Sequence, residues 1–155
     1  MTRNADPRVA TRPATAADLP EILALLSGAG LPGHGVDSLI GTFRVASDAA
    51  RVIGVAGLEP CGTDALLRSV VVHADARGRG TAGRLCADLE RDAARRGIRR
   101  LYLLTETAEA YFARRGFHAT EREAVPPGIA DTAEFRTLCP DTAVVMVKSL
   151  SEGSP

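Results

Sequence analysis

A strand, a glycine-rich turn and a helix follow one another in the middle of the chain. The apolar run at 66–72 predicts a buried strand, and Arg77-Gly78-Arg79-Gly80-Thr81-Ala82 predicts the turn after it. Apolar residues then recur at helical spacing as far as Gly97, and 101–104 predicts a second buried strand. This order predicts an α/β layer fold in which the strands at 66–72 and 101–104 are central and the remaining elements lie around them.

The turn over 77–82 has the chemistry of an anion site. Glycines after a strand let successive backbone N–H groups approach an anion, and the positive end of the following helix dipole adds to the attraction. Glycine at 78 and 80 leaves no side chain that would block a pyrophosphate. An exposed helix start is the alternative interpretation. The Walker spacing and Gly-x-Gly-x-x-Gly are both missing, which disfavours nucleotide and dinucleotide sites.

Further strands are predicted on both sides of this centre. Apolar runs bounded by glycine, proline or polar residues predict strands near Val9–Pro13, 41–46, 51–58, from Phe117 onward and at 143–147. The turn before the central strand is predicted at Cys61-Gly62-Thr63-Asp64.

Helices are predicted from capping residues and apolar periodicity. The sequence Thr15-Ala16-Ala17-Asp18 resembles a capping box, and the helix after it ends at Gly28 and Gly30. Its predicted apolar face consists of Leu19, Ile22, Leu23 and Leu26. The helix from Thr81 is predicted to bury Ala82, Leu85, Cys86, Leu89 and Ala93 and to expose Arg84, Asp88, Arg91 and Arg95. Shorter helices are predicted at 108–115 and within 129–138.

Length and composition exclude several classes of protein. The 155 residues predict one domain over 1–155, with 1–8 and 149–155 as loose tails. Because 19 basic residues balance 19 acidic ones, nucleic acid is not an expected partner. No apolar run approaches the roughly 20 residues that span a bilayer, so no membrane partner is expected. Three widely spaced cysteines predict reduced thiols and a cytoplasmic protein.

The turn reads Arg-x-x-Gly-x-Ala directly after a strand, and in this it resembles the coenzyme A signature of the GNAT acetyltransferase superfamily. Three stretches sharpen the resemblance toward arsenic-operon (arsenic resistance) acetyltransferases and the acetyltransferase domain of N-acetylglutamate synthases: Leu66 to Val72, Leu103 through Phe117, and Glu134 to Pro140. The resemblance implies an α/β GNAT fold with a mixed, mostly antiparallel sheet. That sheet is splayed between its central strands, here 66–72 and 101–104, with helices on both faces.

The resemblance also implies acetyl-CoA as co-substrate. Its pantetheine arm would pair with the backbone of Val70, Val71 and Val72, whose side chains are expected to be core. Further cofactor-binding positions follow from the motif: Arg77, Gly78, Arg79, Gly80, Thr81, Ala82, Thr107 and Phe112. The implied acceptor is the α-amino group of a small amino acid or an amino-acid-like arsenical. A homodimer is a further implication, and no metal site is expected.

Arg68 is the candidate for acceptor binding, with Ser69 beside it. A charge within an apolar strand is costly unless it has a partner or opens into a cleft. An acceptor carboxylate fits a guanidinium through two parallel hydrogen bonds. The alternative is a salt bridge to Glu59 or Asp64.

Catalytic candidates are fewer and each has a structural alternative. Glu59 at the end of an apolar strand is the candidate base, or else an ion-pair partner, and His34 in a glycine-rich loop is either an acceptor contact or simply exposed. Many relatives have a tyrosine where this chain has Phe112. Tyr111 is therefore the candidate acid, with packing as its alternative and water as another proton source. Thr105 and Thr107 either orient substrate or cap the following helix.

Two other functions remain open from the sequence. Because the usual tyrosine is missing, a coenzyme A-binding regulatory module without catalysis is one of them. The other is an arsenic-binding protein that uses Cys61, Cys86 and Cys139, since soft thiolates favour soft centres. Core packing is the simpler interpretation of the last two cysteines. No cysteine has an evident base, so direct transfer is predicted rather than an acyl-enzyme intermediate.

Overall fold

The structure, a computed structural model, describes residues 9–49, 51–138 and 141–150. The predicted tail at 1–8, most of the tail at 149–155, and Cys139 therefore lie outside the described residues. Ser149 lies within them and is not part of a tail. It pairs with Arg100 as the last residue of a strand.

Within the described ranges, seven strands form one sheet, in the order β1-β2-β3-β4-β5-β7-β6. Their bounds are β1 Val9–Pro13, β2 Phe43–Asp48, β3 Arg51–Cys61, β4 Asp64–Val72, β5 Arg100–Thr105, β6 His118–Ala119 and β7 Val144–Ser149. Strands β1/β2, β2/β3, β5/β7 and β6/β7 pair antiparallel, whereas β4 and β5 pair parallel. The predicted mixed, mostly antiparallel α/β fold is confirmed.

Pairing between the two central strands ends part way along both. The parallel ladder runs from Asp64 opposite Arg100 to Leu66 opposite Tyr102. Strand β4 nevertheless continues to Val72, and β5 to Thr105. The short ladder agrees with the predicted divergence of these strands.

Helices occupy the segments between strands. Their bounds are α1 Leu19–Gly28, α2 Thr81–Arg95, α3 Glu109–Arg114 and α4 Pro127–Ala130, followed by a π-helix at Glu134–Leu138. Within the ranges that the structure describes, no helix has the length and apolarity needed to cross a membrane.

The helix predicted within 129–138 is confirmed by the π-helix at Glu134–Leu138. Helix α4 is a separate element that begins earlier, at Pro127, and ends before the π-helix begins. The hydroxyl of Thr132 donates to the carbonyl of Ile129 at 2.8 Å and accepts the N–H of Phe135 at 3.3 Å. A side chain that bonds nearby backbone groups competes with the helical ladder, which explains the interruption.

The described residues fall into two compact units. One comprises the described residues up to Leu58 together with Ser69–Arg91, and the other comprises Glu59–Arg68 together with the described residues from Asp92 onward. Whether the chain behaves as the single domain predicted from its length stays a prediction.

The core of the first unit forms where α1 packs on strands β2 and β3. Ile22 and Leu26 of α1 are fully buried in a cluster with Phe43, Val45 and other apolar side chains. The prediction for Leu23 is wrong, since 39% of this residue is exposed. Leu25 packs against the cluster instead, so the buried face of α1 is turned toward Leu25 and away from Leu23.

Burial of α2 follows the predicted apolar face except at Ala82 and Asp88, and Arg84, predicted to be exposed, is partly buried as well. Leu85, Cys86, Leu89 and Ala93 are buried as predicted, whereas Ala82 is only partly buried. Asp88, predicted to be exposed, is buried too. The hydroxyl of Thr11 in β1 donates to its carboxylate, which also pairs with Arg91. A buried carboxylate with these partners is satisfied, and the polar pattern of the helix did not predict them.

The second unit has its own apolar core around β5 and β7. Its members are Leu66, Tyr102, Val125, Ile129, Val145 and Val147, with Cys61, Leu104 and Phe135 packed against them. Both α4 and the π-helix therefore contribute to this core.

We predict that Gly57→Ala destabilises the protein strongly. A Cβ at Gly57 would lie 2.3 Å from Cε1 of Phe43, the residue opposite it in β2, whose ring is fully buried. Overpacking of this kind costs about 1–3 kcal/mol in the free energy of unfolding. Gly28→Ala is the matched control, because nothing lies within 4 Å of its added Cβ. Equal urea-unfolding midpoints for both variants would contradict the close packing.

Asp18 is predicted to make the stability of the fold depend on pH. Hydrogen bonds from the side chain of Arg12 at 2.8 Å, and from the N–H of Thr15, lower the pKa of Asp18 to about 2 despite its burial. A depressed pKa stabilises the fold above the unfolded-state pKa of about 4, and this contribution is lost as the pH falls toward 2.

Asp18→Asn should therefore lower the free energy of unfolding at pH 7 by about 1–2 kcal/mol. The difference from the unsubstituted protein should shrink as the pH approaches 2. Asp37→Asn, in an exposed turn, is the control. A difference that does not vary with pH would rule out ionisation as the cause.

Candidate active site

The turn between β4 and α2 has the backbone geometry of an anion site. Gly78 and Gly80 adopt φ angles of 85° and 74°, in the left-handed region that favours glycine. The carbonyl of Gly80 accepts the first helical bond, from the N–H of Arg84 at 3.1 Å. The N–H groups of the first turn of α2 are therefore available to a ligand, as at any helix start.

Thr81, the first residue of α2, adds an unusual polar group to this turn. It is 3% exposed, and its hydroxyl oxygen is buried with no hydrogen-bond partner in residues 9–49, 51–138 and 141–150. Gly54 of β3 lies close by, since a Cβ there would be 3.3 Å from Cγ2 of Thr81. A buried hydroxyl without a partner is costly, so an anion that reaches this helix start would gain a donor.

The two arginines of the turn have different environments. Arg79 is partly buried and pairs with Asp48 of β2. Arg77 is exposed, and no partner is found for it in the described part of the chain. Arg77 is the arginine of this turn that an anionic ligand can approach from solvent.

Strand β4 changes conformation at Ser69. This residue is buried and has a φ angle of 61°, which is strained for a residue other than glycine. Beyond it, Val71 is buried in the first unit's core, whereas Val70 and Val72 are only partly buried. The prediction that the side chains of Val70 and Val72 belong to the core is therefore wrong, since Ser69 alters the alternation along the strand.

Arg68, one residue before Ser69, lies between two carboxylates. Only 1% of its side chain is exposed. Its Nε–H donates to Oε2 of Glu134 at 2.8 Å, and its Nη1 lies 3.2 Å from Oε1 of Glu59. Two carboxylates around one guanidinium make this a buried ionic cluster with a net negative charge. We call these three residues the Arg68 cluster.

The structure decides among the alternatives left open for these charges. The salt bridge between Arg68 and Glu59 is confirmed, while Asp64 pairs with Arg100 at 3.2 Å. Glu59 is thus an ion-pair partner, and 24% of its side chain remains exposed. Direct binding of an acceptor carboxylate by Arg68 stays a prediction.

The other candidate residues for acceptor binding differ in their hydrogen bonds and in their exposure to solvent. The hydroxyl oxygen of Thr105 accepts the N–H of Ala108 at 3.0 Å. Ala108 is itself the N-cap residue of α3, and no side chain among the described residues caps that helix, so the capping alternative predicted for Thr105 and Thr107 is wrong. Thr107 is exposed. His34 lies exposed in the loop after α1. Substrate-binding roles for these three residues stay predictions.

Helix α3 presents its two aromatic residues differently. Phe112 is buried and packs edge to face on Phe117, with ring centroids 5.6 Å apart. Tyr111 is partly buried, and its ring lies edge-on to Phe112 at 5.1 Å. Adjacent residues project about 100° apart around a helix, so the tyrosine does not replace the phenylalanine in space.

The structure describes two of the three cysteines, the partly buried Cys61 and the buried Cys86. Cys86 is buried on the apolar face of α2, in agreement with packing, and Cys139 lies outside the described residues. Burial, and next the charges of Glu59 and Asp64, raise the pKa of the Cys61 thiol. A thiol with a raised pKa is a weaker nucleophile and soft-metal ligand at neutral pH, since the thiolate is the reactive form.

Sequence reasoning missed two carboxylates that the structure brings to the predicted residues. Glu134 binds Arg68, and Asp48 binds Arg79. Position along the chain did not reveal either partner. The only available signal was the requirement that a charge within an apolar strand find a counter-charge.

The family model described as "Acetyltransferase (GNAT) domain" matches residues 40–119, which are 80 of the 155 residues. This range includes β4, the glycine turn, α2 and β5.

Solved structures with a similar fold include N-acetylglutamate synthase from Neisseria gonorrhoeae. Its complex with coenzyme A and N-acetyl-glutamate has a TM-score of 0.82 and 23% identity, over 94% of this chain and 36% of that one. Its complex with coenzyme A and L-arginine has a TM-score of 0.80 and 23% identity, over 94% and 34%. This chain therefore spans about a third of the gonococcal protein.

A second similar structure is Rv2747 from Mycobacterium tuberculosis, crystallised in a complex that contains coenzyme A. It has a TM-score of 0.80 and 22% identity, and the match covers 92% of this chain and 99% of that one. At these identities the likeness shows a shared fold.

We predict that Cys61 reacts slowly with iodoacetamide at neutral pH. Its raised pKa keeps the thiol protonated, so alkylation resolved by peptide mass spectrometry should reach half of its maximal rate at a higher pH than for a free cysteine. Glu59→Gln removes one of the charges that raise the pKa and should speed the reaction. A pH midpoint equal to that of free cysteine would contradict this environment.

Proposed function

Because the chain belongs to the GNAT acetyltransferase domain family, we propose that it transfers an acetyl group directly from acetyl-CoA to the α-amino group of a small amino acid or amino-acid-like acceptor. The observation that carries this proposal is the start of α2. There, two left-handed glycines precede the buried hydroxyl of Thr81, which has no hydrogen-bond partner among the described residues.

The residues of the turn fit the pyrophosphate of coenzyme A. Main-chain N–H groups from Gly78 to Ala82 and the Thr81 hydroxyl would hold its oxygens, and Arg77 would approach from solvent. Arg79 would act while paired with Asp48. A pyrophosphate would also supply the hydrogen-bond acceptor that the hydroxyl of Thr81 lacks.

The pantetheine arm is assigned to the backbone of strand β4 after Ser69. Val70, Val71 and Val72 would offer main-chain groups to the amides of the arm, as an added strand does. The partial exposure of Val70 and Val72 supports this assignment. Thr107 and Phe112 complete the proposed cofactor contacts.

Acetyl-CoA supplies an acetyl thioester, and the acceptor supplies an amine. Glu59 would take one proton from the acceptor ammonium, which exposes the nitrogen lone pair. The nitrogen then bonds to the carbonyl carbon, and the carbon–sulfur bond breaks. The nitrogen passes a second proton to water, and the departing thiolate gains one from water or from Tyr111, which water then reprotonates. A backbone N–H near Val70 would polarise the carbonyl.

Glu59 is the carboxylate of the Arg68 cluster best suited to act as this base. It retains more exposure than Glu134, 24% against 10% of the side chain. Arg68 and Ser69 are proposed for acceptor binding, together with His34 and Thr105. The raised pKa of Cys61 supports direct transfer, since it disfavours an acyl-cysteine intermediate.

Two lines support an amino-acid acceptor. The gonococcal relative was crystallised with N-acetyl-glutamate, the acetylated form of an amino acid. The Arg68 cluster contains a guanidinium that could pair with the carboxylate of a zwitterion, and carboxylates that could pair with its ammonium group. The resemblance to arsenic-operon enzymes adds arsenical amino acids as acceptors to be tested.

The test is acetyl-CoA-dependent thiol release across free amino acids, phosphinic and arsenical amino-acid analogues, and polyamines, corrected for the protein's own cysteines. We expect saturable turnover with a carboxylate-bearing amine. Glu59→Gln should lower kcat by about 100-fold, the usual contribution of a general base. Glu123→Gln, which removes an exposed carboxylate, should leave kcat unchanged.

Two results would contradict the proposal. No turnover across the panel, despite measured binding of acetyl-CoA, would indicate a coenzyme A-binding regulatory module. Acetylation of a cysteine by acetyl-CoA alone, at a rate that matches turnover, would indicate an acyl-enzyme route.

A further inference from the structure

The two carboxylates that hold Arg68 are not equivalent. Glu134 accepts from Nε at 2.8 Å, and only 10% of its side chain is exposed. Glu59 lies 3.2 Å from Nη1 and is 24% exposed. A shorter contact with less access to water is the stronger of two such ion pairs, because water competes less for the charges. The pair between Arg68 and Glu59 is therefore the one that opens more easily.

Neighbouring residues hold Glu134 in place. Phe135, the next residue in the π-helix, packs in the core of the second unit, and the guanidinium of Arg122 lies 5.1 Å from its ring centroid. Arg122 in turn donates to the carbonyl oxygens of Asp141 and Ala143. With Phe135 held on both sides, the Glu134 carboxylate is constrained to stay beside Arg68.

We propose that a zwitterionic acceptor inserts into the ion pair between Arg68 and Glu59 while Glu134 keeps Arg68 in position. This inference rests on the proposed function and assigns Glu134 as a positioning residue for acceptor selection. The acceptor's carboxylate replaces that of Glu59 at Nη1 of Arg68. The released Glu59 carboxylate then accepts a hydrogen bond from the acceptor's ammonium.

The exchange keeps every charge paired. Before it, Arg68 faces two carboxylates; after it, Arg68 faces Glu134 and the acceptor's carboxylate, and Glu59 faces the ammonium. No proton moves and no charge is left alone in a buried site, where an unpaired charge costs several kcal/mol. Among described residues, Arg68 is the one partner of the Glu59 side chain, so no other contact has to break there.

Selection of the α-carboxylate follows from the same exchange. An amine without an α-carboxylate cannot replace the Glu59 carboxylate at Arg68. The ion pair between Arg68 and Glu59 therefore stays intact, and Glu59 is not released to act as the base. Loss of the Glu134 charge removes the stronger of these two ion pairs, so Arg68 is no longer held in position when the Glu59 carboxylate is displaced. The preference for a zwitterion should then be lost.

The experiment compares L-glutamate with its α-amide, which keeps the amine and the side chain but lacks the α-carboxylate charge. The measured quantity is the ratio of kcat/KM for the acid to kcat/KM for the amide. We expect Glu134→Gln to lower this ratio at least about tenfold, mainly through KM for L-glutamate, with KM for acetyl-CoA unchanged. Glu134→Asp keeps the charge but shortens the side chain, and should give an intermediate ratio.

A purely structural role predicts a different result, because a folding defect lowers both values of kcat/KM and leaves their ratio unchanged. Glu59→Gln should likewise reduce both, since it removes the base. Glu123→Gln is the control for loss of one negative charge and should alter neither. An unchanged ratio in both Glu134 variants, with turnover of L-glutamate by the unsubstituted protein, would overturn the inference and leave the proposed function standing.

Calorimetry can measure the binding of L-glutamate to the protein in complex with coenzyme A. This measurement tests the inference without requiring acetyl transfer. We expect the unsubstituted protein to bind L-glutamate more tightly than the amide, and Glu134→Gln to remove that difference. This result would support the inference even if no acetylation were detected. Equal affinity of the unsubstituted protein for both compounds, or no binding of either, would overturn it.

Discussion

The side chain of Arg68 is a full positive charge with almost no access to water, and the arrangement around it depends on how that charge is balanced. Burying a guanidinium alone costs several kcal/mol, far more than a typical hydrogen bond contributes. Glu59 supplies one counter-charge and Glu134 the other. The π-helix carries the second carboxylate, and Thr132 separates that helix from α4. A local break in helical geometry thus accompanies the burial of a charge in β4.

Backbone conformation, more than side chains, prepares the other candidate site. Ser69, Gly78 and Gly80 all have left-handed φ angles within one stretch of chain. The first shifts the burial pattern of β4 so that Val71 is core while its neighbours are partly exposed. The two glycines turn the chain into the start of α2, where Thr81 has a buried hydroxyl without a partner among the described residues.

The sequence predicted strands and helices correctly where their positions depend on residues that are close together in the chain. Apolar periodicity located β4, β5 and α2, and glycine located the ends of α1 and α2, because helix and strand geometry repeat over a few residues. Predictions of burial failed where contacts with residues distant in the chain determine whether a side chain is buried. Leu23 has helical spacing with the buried residues of α1 but is exposed. Asp88 is buried, and its carboxylate accepts a hydrogen bond from the hydroxyl of Thr11 in β1. The separate helix α4 was not predicted, and the hydroxyl of Thr132 bonds to the backbone between it and the π-helix.

The sequence by itself determined the order of strands and helices, the position of the glycine turn before α2, and the need of Arg68 for an anionic partner. It left that partner open between an acceptor, Glu59 and Asp64. Only the tertiary structure decided that Glu59 and Glu134 bind Arg68 while Asp64 binds Arg100. The reason is that an ion pair depends on the distance between atoms in space, and separation along the chain does not set that distance once the chain has folded.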